Sequence, residues 1–162
     1  MPNIEVTDDL TSWMALQPEL AIGASAFSQA VYASKALPMR IREVARMRIA
    51  ESNQCEVCRN TRDAQGAAEG VDEALYEHIL EWRTWPGYSE RERLAAEYAE
   101  RIGGDHVALR EDQAFWQRMR SEFTDAEIVA LATSCALWLG MGRTMRVLDV
   151  GQSCQLVLNQ VA

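Results

Sequence analysis

Two cysteines in the run Cys55-Glu56-Val57-Cys58 are the residues whose type and spacing can do chemistry in this 162-residue chain. On a helix or its first turn, side chains three apart share a face. Two sulfurs so placed can close a disulfide across a single turn, and two thiolates can grip one metal. Ser52-Asn53 upstream competes with the backbone for hydrogen bonds and marks a helix end, which leaves the pair near the N-terminus of the next helix. Unpaired backbone N–H groups and the helix dipole favour a thiolate there. Arg62, four residues past Cys58 and seven past Cys55, falls on the same helical stripe. One opposite charge at about 4 Å in an effective dielectric near 20 is worth on the order of 4 kcal/mol. Even heavily discounted for exposure, that favours ionising a thiol whose reference pKa is about 8.5. The thiolate is the form that attacks a peroxide or a disulfide.

Three readings of the pair compete: redox-active thiols, incidental buried cysteines, and a metal site. Zinc is disfavoured by the lack of a second C-x-x-C or a closely spaced His pair, and His78 and His106 read as solitary surface or capping residues. A thioredoxin-like setting would need strands alternating with helices, which the chain does not show. The redox-active pair is the leading reading. Cys135 reads as core packing, Cys154 lies near the tail, and Trp82, Trp85, Trp116 and Trp138 read as core or subunit-contact residues rather than cofactor stackers. Arg143 and Arg146 read as partners of a helix C-terminus.

Composition narrows the function classes. A formal net charge of −8 with no basic stripe argues against nucleic acid and against anionic membranes. Met1 to Leu10 is polar and acidic and carries no export pattern, so a cytoplasmic, reducing location is expected. The apolar stretch Ala126 to Met141 is interrupted by Glu127, Thr133 and Ser134, falls short of a membrane span, and reads as a buried core helix.

The elements that must position the cysteines are helical throughout, and the fold class is all-α. A first helix is expected over about Leu20 to Ala36, closed by Pro38, and a second over Ile41 to Ile49, ending near Ser52-Asn53. A third carries Cys58 to Glu69 and stops at Gly70; a fourth runs from an Asp72 cap to about Trp82. Pro86-Gly87 marks the clearest break. Capping boxes at Ser89-Glu90-Arg91-Glu92 and Thr124-Asp125-Ala126-Glu127 then open two helices, with another over Arg110 to Arg120 between them. The length suits a single domain over 1–162, with a core at about 37–150 and an N-terminal helical arm at about 1–36.

Glu43 lies twelve residues before Cys55, at the end of which the C-x-x-C follows a helix of the form Arg42-Glu43-Val44-Ala45-Arg46-Met47-Arg48-Ile49-Ala50. With Gly70-Val71, the two capping boxes and the apolar helix ending in Arg143, this resembles the alkylhydroperoxidase-D-like branch of the carboxymuconolactone decarboxylase superfamily over roughly Leu37 to Val150. The resemblance implies an all-helical fold assembled as a homo-oligomer, and reduction of a small hydroperoxide or disulfide substrate by cysteines that a dithiol or protein reductant recycles. It implies Cys58 as the peroxidatic nucleophile, Cys55 as the resolving thiol and Glu43 as part of a proton relay. No cofactor is implied, neither flavin nor haem. The family commonly places a His four residues after the second cysteine, where this chain has Arg62. Arg cannot act as a general base, so Arg62 is expected to hold Cys58 as a thiolate while Glu43 or water moves protons. The alternatives are a non-redox decarboxylase or lyase, with Arg62, Arg143 or Arg146 clamping a carboxylate, and a helical oligomer whose cysteines sense redox state.

Overall fold

The computed structural model describes residues 1–159, and nine α-helices carry most of them. After a short α1 (Ser12–Ala15), α2 (Pro18–Ala33) starts with proline in its first turn, where the missing N–H is no loss, and forms the arm. Pro38 precedes α3 (Met39–Asn53), the central helix of the molecule, which packs against both α6 (Glu90–Gly104) and α9 (Asp125–Leu148). One side of α3 enters a core with Ile41, Ala45 and Ile49 facing Leu94, Phe115 and Leu131; the other side, through Val44, Met47 and Ala50, meets Leu75, Ile79 and Trp82. Burial on both sides is why α3 lacks a simple polar face, and its Arg42, Glu43 and Arg46 are enclosed with the apolar residues.

The sequence signals at helix starts hold. Ser89 and Thr124 both form complete capping boxes, with Glu92 and Glu127 reaching back, and Asp72 caps α5 (Glu73–Glu77) by accepting from the Leu75 N–H. Three expected helices are broken, the one from Asp72 to about Trp82 being α5 followed after His78 by a 3-10 turn at Ile79–Glu81. Over Arg110 to Arg120 the side chain of Asp112 accepts from the Phe115 N–H, which ends α7 (His106–Glu111) and starts α8 (Gln113–Glu122). The helix expected over Cys58 to Glu69 is a single turn, α4 (Glu56–Arg59), followed by a strand residue pair β1 (Arg62–Asp63) and a 3-10 turn at Ala67–Glu69.

The cause is the tail. The backbone N–H groups of Arg62 and Ala64 donate to the carbonyls of Leu156 and Leu158, so β1 pairs in parallel with β2 (Val157–Leu158) instead of continuing a helix. Gly70, at φ 74°, then turns the chain in the left-handed region that glycine enters without cost. At 24 residues α9 is long and apolar enough to cross a membrane by length and composition, but Leu131, Cys135, Leu137 and Trp138 on its inner face are buried in the core.

Candidate functional site

The end of α3 places the cysteines. Gln54 takes a left-handed conformation, φ 52°, which reverses the chain and sets Cys55 as the extended residue before α4. One helical turn on, Cys58 is joined to it by a disulfide, with the two Cα atoms 5.2 Å apart. The N–H of Glu56 donates to Oε1 of Gln152, so the tail closes over the start of α4. The two sulfurs differ in access. Cys55 is 0% exposed, whereas Cys58 is half-buried and lines a cavity of about 700 Å3.

That cavity lies between the arm and the core. Ala21, Ala24, Ser28 and Gln29 of α2 form one wall and Trp138, Met141, Gly142 and Met145 of α9 another. Leu156 and Leu158 of the tail and Val57 beside the cysteine complete the apolar surface near the floor. The charged side chain among the described lining residues is Arg46.

Arg46 is the centre of a buried polar cluster. Its Nε and Nη2 donate to Oε2 of Glu43 at 3.0 and 2.7 Å, its Nη1 donates to the Cys58 carbonyl oxygen at 2.6 Å, and Nη2 also reaches the Thr61 carbonyl. Burial opposes the guanidinium charge, but the Glu43 carboxylate outweighs it and holds Arg46 protonated, above its ordinary pKa. Glu43 is 0% exposed and its Oε2 accepts a further hydrogen bond from the Tyr76 hydroxyl at 3.0 Å. Its Oε1 has no hydrogen-bond partner; the nearest cation is Arg42 Nε at 3.8 Å. Burial, then the adjacent Glu43 charge, pushes the Tyr76 pKa up, so the phenol remains a donor.

The expected residues are therefore only partly brought together. Glu43 and the Cys58 carbonyl meet at Arg46, and the disulfide joins Cys55 to Cys58. Arg62 does not lie on a helical stripe with the cysteines, because it belongs to β1. Its Nε and Nη2 bind Glu73, its Nη1 binds the carbonyls of Arg59 and Thr61, and its guanidinium stacks over the Tyr76 ring at 4.0 Å. It reaches the cluster from behind, through Tyr76. Arg46 and Tyr76 were missed; the signal for Arg46 was its position three residues after Glu43, the spacing of an acid–base pair on one helix face.

The α9 side contributes a second polar contact and a gap. Asn53 donates through Nδ2 to the carbonyls of Trp138 and Leu139 and accepts from Arg143 Nε, while Arg143 Nη2 binds the Gly103 carbonyl. Among the described residues, the Arg146 side chain reaches only Asp149. A Cβ placed on Gly142 would stand 3.4 Å from the Cys58 sulfur and 2.7 Å from Asn53 Nδ2. Cys135 is sealed in the core, where burial raises its thiol pKa. His78 stacks on Trp85 at 4.5 Å, and among the described residues no three His, Cys, Asp or Glu side chains gather to hold a metal ion.

Residues 18–101 match the carboxymuconolactone decarboxylase family. No curated protein matches the chain. Among solved structures, a protein of unknown function from Agrobacterium tumefaciens, proposed as the antioxidant defence protein AhpD, superposes with a TM-score of 0.75 at 18% identity, over 92% of this chain and 98% of that one. An uncharacterized peroxidase-related protein from Silicibacter sp. gives 0.67 at 20% identity, over 85% of this chain and 72% of that one. A debrominase in its apo form gives 0.69 at 18% identity, over 85% and 73%.

Proposed function

The chain belongs to the carboxymuconolactone decarboxylase family, and from that premise we propose that it is a C-x-x-C thiol-dependent peroxidase of the alkylhydroperoxidase-D-like branch. The observation that carries the reading is the unequal setting of the two bonded sulfurs: Cys58 on the floor of a cavity, Cys55 sealed beneath it.

In the reduced protein the Cys58 thiolate attacks the terminal oxygen of a hydroperoxide. The O–O bond breaks, the alcohol leaves with a proton, and Cys58 becomes a sulfenic acid. Cys55 then attacks that sulfur, the disulfide forms, and the sulfenic oxygen leaves as water. A dithiol, small or carried by a protein, supplies two electrons and two protons to restore both thiols. The start of α4 and the Arg46 charge behind the Cys58 backbone favour the thiolate. Glu43 holds Arg46 in place, and its partnerless Oε1 is the atom suited to take up a proton.

Clamping a carboxylate, as a lyase would require, finds no support in the cavity. Its lining cation, Arg46, is already bound to Glu43 and to two backbone carbonyls.

The test is hydroperoxide consumption with dithiothreitol as reductant. Wild type should turn over and Cys58→Ser should be inactive, whereas reduced Cys55→Ser freed of dithiothreitol should consume one equivalent of hydroperoxide and stop at the sulfenic acid. Equal activity in wild type and Cys58→Ser would overturn the reading.

A further inference from the structure

Breaking the O–O bond of a hydroperoxide leaves an alkoxide, a poor leaving group unless a proton meets it as it departs. Within the cavity that Cys58 lines, few groups could bring one. The hydroxyls of Thr11, Ser25, Ser28 and Thr61 are no more acidic than the alcohol being formed, and Thr61 Oγ1 already donates to the Val57 carbonyl. Arg46 does not give up its proton. Tyr32, in the last turn of α2, brings a phenol to the same lining, and a phenol with a reference pKa of about 10 is acidic enough.

The way that phenol is held leaves its proton free. The indole Nε1–H of Trp138, across the cavity on α9, hydrogen-bonds to the Tyr32 hydroxyl. An indole nitrogen can only donate, so the phenol oxygen is the acceptor and its own O–H is left for another partner. The end of α2 is fixed as well: Arg42 Nη1 donates to the Tyr32 carbonyl at 3.3 Å, and its guanidinium lies 5.7 Å from the centre of the ring. Burial pushes the Tyr32 pKa up and keeps the phenol protonated at neutral pH, while the Arg46 charge and the Trp138 N–H pull the other way. Those two groups would steady the phenolate once its proton has gone. Tyr76, the phenol on the Glu43 side, already donates to Oε2 of that carboxylate and is not part of the lining.

We infer that Tyr32 is a further catalytic residue, the general acid that protonates the leaving oxygen; the assignment rests on the peroxidase reading. As the Cys58 thiolate bonds to the terminal oxygen, the O–O electron pair passes to the inner oxygen, which takes the Tyr32 proton and leaves as the alcohol. The hydroperoxide's own proton stays on the sulfenic acid. The tyrosinate then regains the proton that the Cys58 thiol had released to Glu43, so none is gained or lost. The arm thereby supplies chemistry as well as a cavity wall.

The test compares two oxidants of nearly equal size and unequal need for an acid. Ethyl hydroperoxide expels ethoxide, whereas peracetic acid expels acetate, which leaves without a proton. Reduced protein freed of dithiothreitol is mixed with each at neutral pH, and oxidation of Cys58 is timed by quenching with N-ethylmaleimide and peptide mapping. Tyr32→Phe should react about a hundredfold more slowly than wild type with ethyl hydroperoxide, the lower end of what a positioned acid contributes, and within about threefold with peracetic acid. Loss by the same factor with both would make the phenol a packing residue and overturn the inference. Wild type gives a second measure should the variant fold poorly by circular dichroism. Its rate with peracetic acid relative to ethyl hydroperoxide should be at least about tenfold smaller than the same ratio for the thiolate of dithiothreitol, which has no acid beside it. Equal ratios would overturn the inference. Rapid oxidation of Cys58 by both peroxides with or without the phenol would remove Tyr32 and leave the peroxidase standing. A wild type in which neither peroxide oxidises Cys58 faster than free dithiothreitol would sink both.

Discussion

Arg46 and Cys58 are tied through the backbone: Nη1 of the α3 arginine donates to the carbonyl oxygen of the α4 cysteine at 2.6 Å. Because the remaining nitrogens of Arg46 hold Glu43 and the Thr61 carbonyl, the turn that carries the reactive sulfur is anchored to the most buried helix of the protein. The cation thus serves two purposes. It fixes the geometry of α4, and it places a permanent positive charge on the backbone carbonyl of the cysteine that lines the cavity.

The Glu43–Arg46 pair should respond asymmetrically to mutation. Arg46→Met leaves the enclosed carboxylate without its hydrogen-bonded counter-charge and with only the more distant Arg42, and breaking one side of a buried pair costs about 3–5 kcal/mol. Replacing both, as Glu43→Leu with Arg46→Met, removes the stranded charge and should recover part of that loss. Urea denaturation of the two single variants and the double variant measures this. A double variant no more stable than Arg46→Met would show that the ion pair is not the unit of stability.

The four thiols should react in a defined order. In the oxidised protein Cys55 and Cys58 are bonded and Cys135 is fully buried with a raised pKa, so Cys154 alone should titrate with a thiol reagent under native conditions. After mild reduction Cys58 should be alkylated ahead of Cys55, since it lines the cavity and Cys55 is sealed. Peptide mapping after a short pulse of iodoacetamide reads this directly. Faster labelling of Cys55 would exchange the proposed roles of the two sulfurs.

The helical class was legible because local signals and long-range packing agreed. Ser89, Thr124 and Asp72 each cap a helix through contacts within three residues, and periodicity marked α2, α3 and α9. The stretch after Cys58 misled because its conformation is set from far away in the chain: the carbonyls of Leu156 and Leu158 compete for the N–H groups that a helix would have used. A pattern of side chains cannot report on a partner almost a hundred residues downstream. The cysteine pair and Glu43 were visible from spacing, whereas the cation beside them was assigned to Arg62 on the assumption that the helix continued. Arg46 was hidden for the opposite reason. Charged residues on a helix ordinarily face water, and α3 is enclosed on both sides.

Arg62 and Arg46 should differ in their effect on the Cys58 thiol. Arg62 is occupied by Glu73 and stacks on Tyr76, so Arg62→Ala should leave the thiol pKa nearly unchanged. Arg46→Lys keeps a charge but cannot hold Glu43, Cys58 and Thr61 together, and should raise the thiol pKa by about one unit or more. The pH dependence of alkylation of Cys58 in a Cys55→Ser background gives both values. A larger shift in Arg62→Ala than in Arg46→Lys would restore Arg62 as the thiolate partner.

Tyr76 tests how tightly Glu43 is held. Tyr76→Phe deletes the phenol that donates to Oε2 at 3.0 Å, in a site where Oε1 already lacks a hydrogen-bond partner. Oε2 keeps its two Arg46 donors, so the loss is that of one hydrogen bond to a charged group, about 1.5–3 kcal/mol, and the urea midpoint should fall at constant slope. An unchanged midpoint would mean that Glu43 is not held by the phenol.

Glu73 gives the pH signature on the outer side of the same cluster. The Arg62 hydrogen bonds hold its carboxyl below the usual carboxylate range against a modest burial effect. A depressed folded-state pKa means that the unfolded chain takes up the proton first. The stabilisation is therefore complete above the unfolded-state pKa, near neutrality, and is lost as pH falls through the folded-state value. Glu73 is two-thirds exposed at its side chain, so the pair is worth only about 0.5 kcal/mol after solvent screening. Stability curves for wild type and Glu73→Gln, measured from pH 7 down to about pH 3, should lie apart by that amount at the neutral end and converge at the acid end. Convergence at neutral pH with separation in acid would reverse the assigned sign and show that the Arg62–Glu73 contact does not stabilise the folded chain.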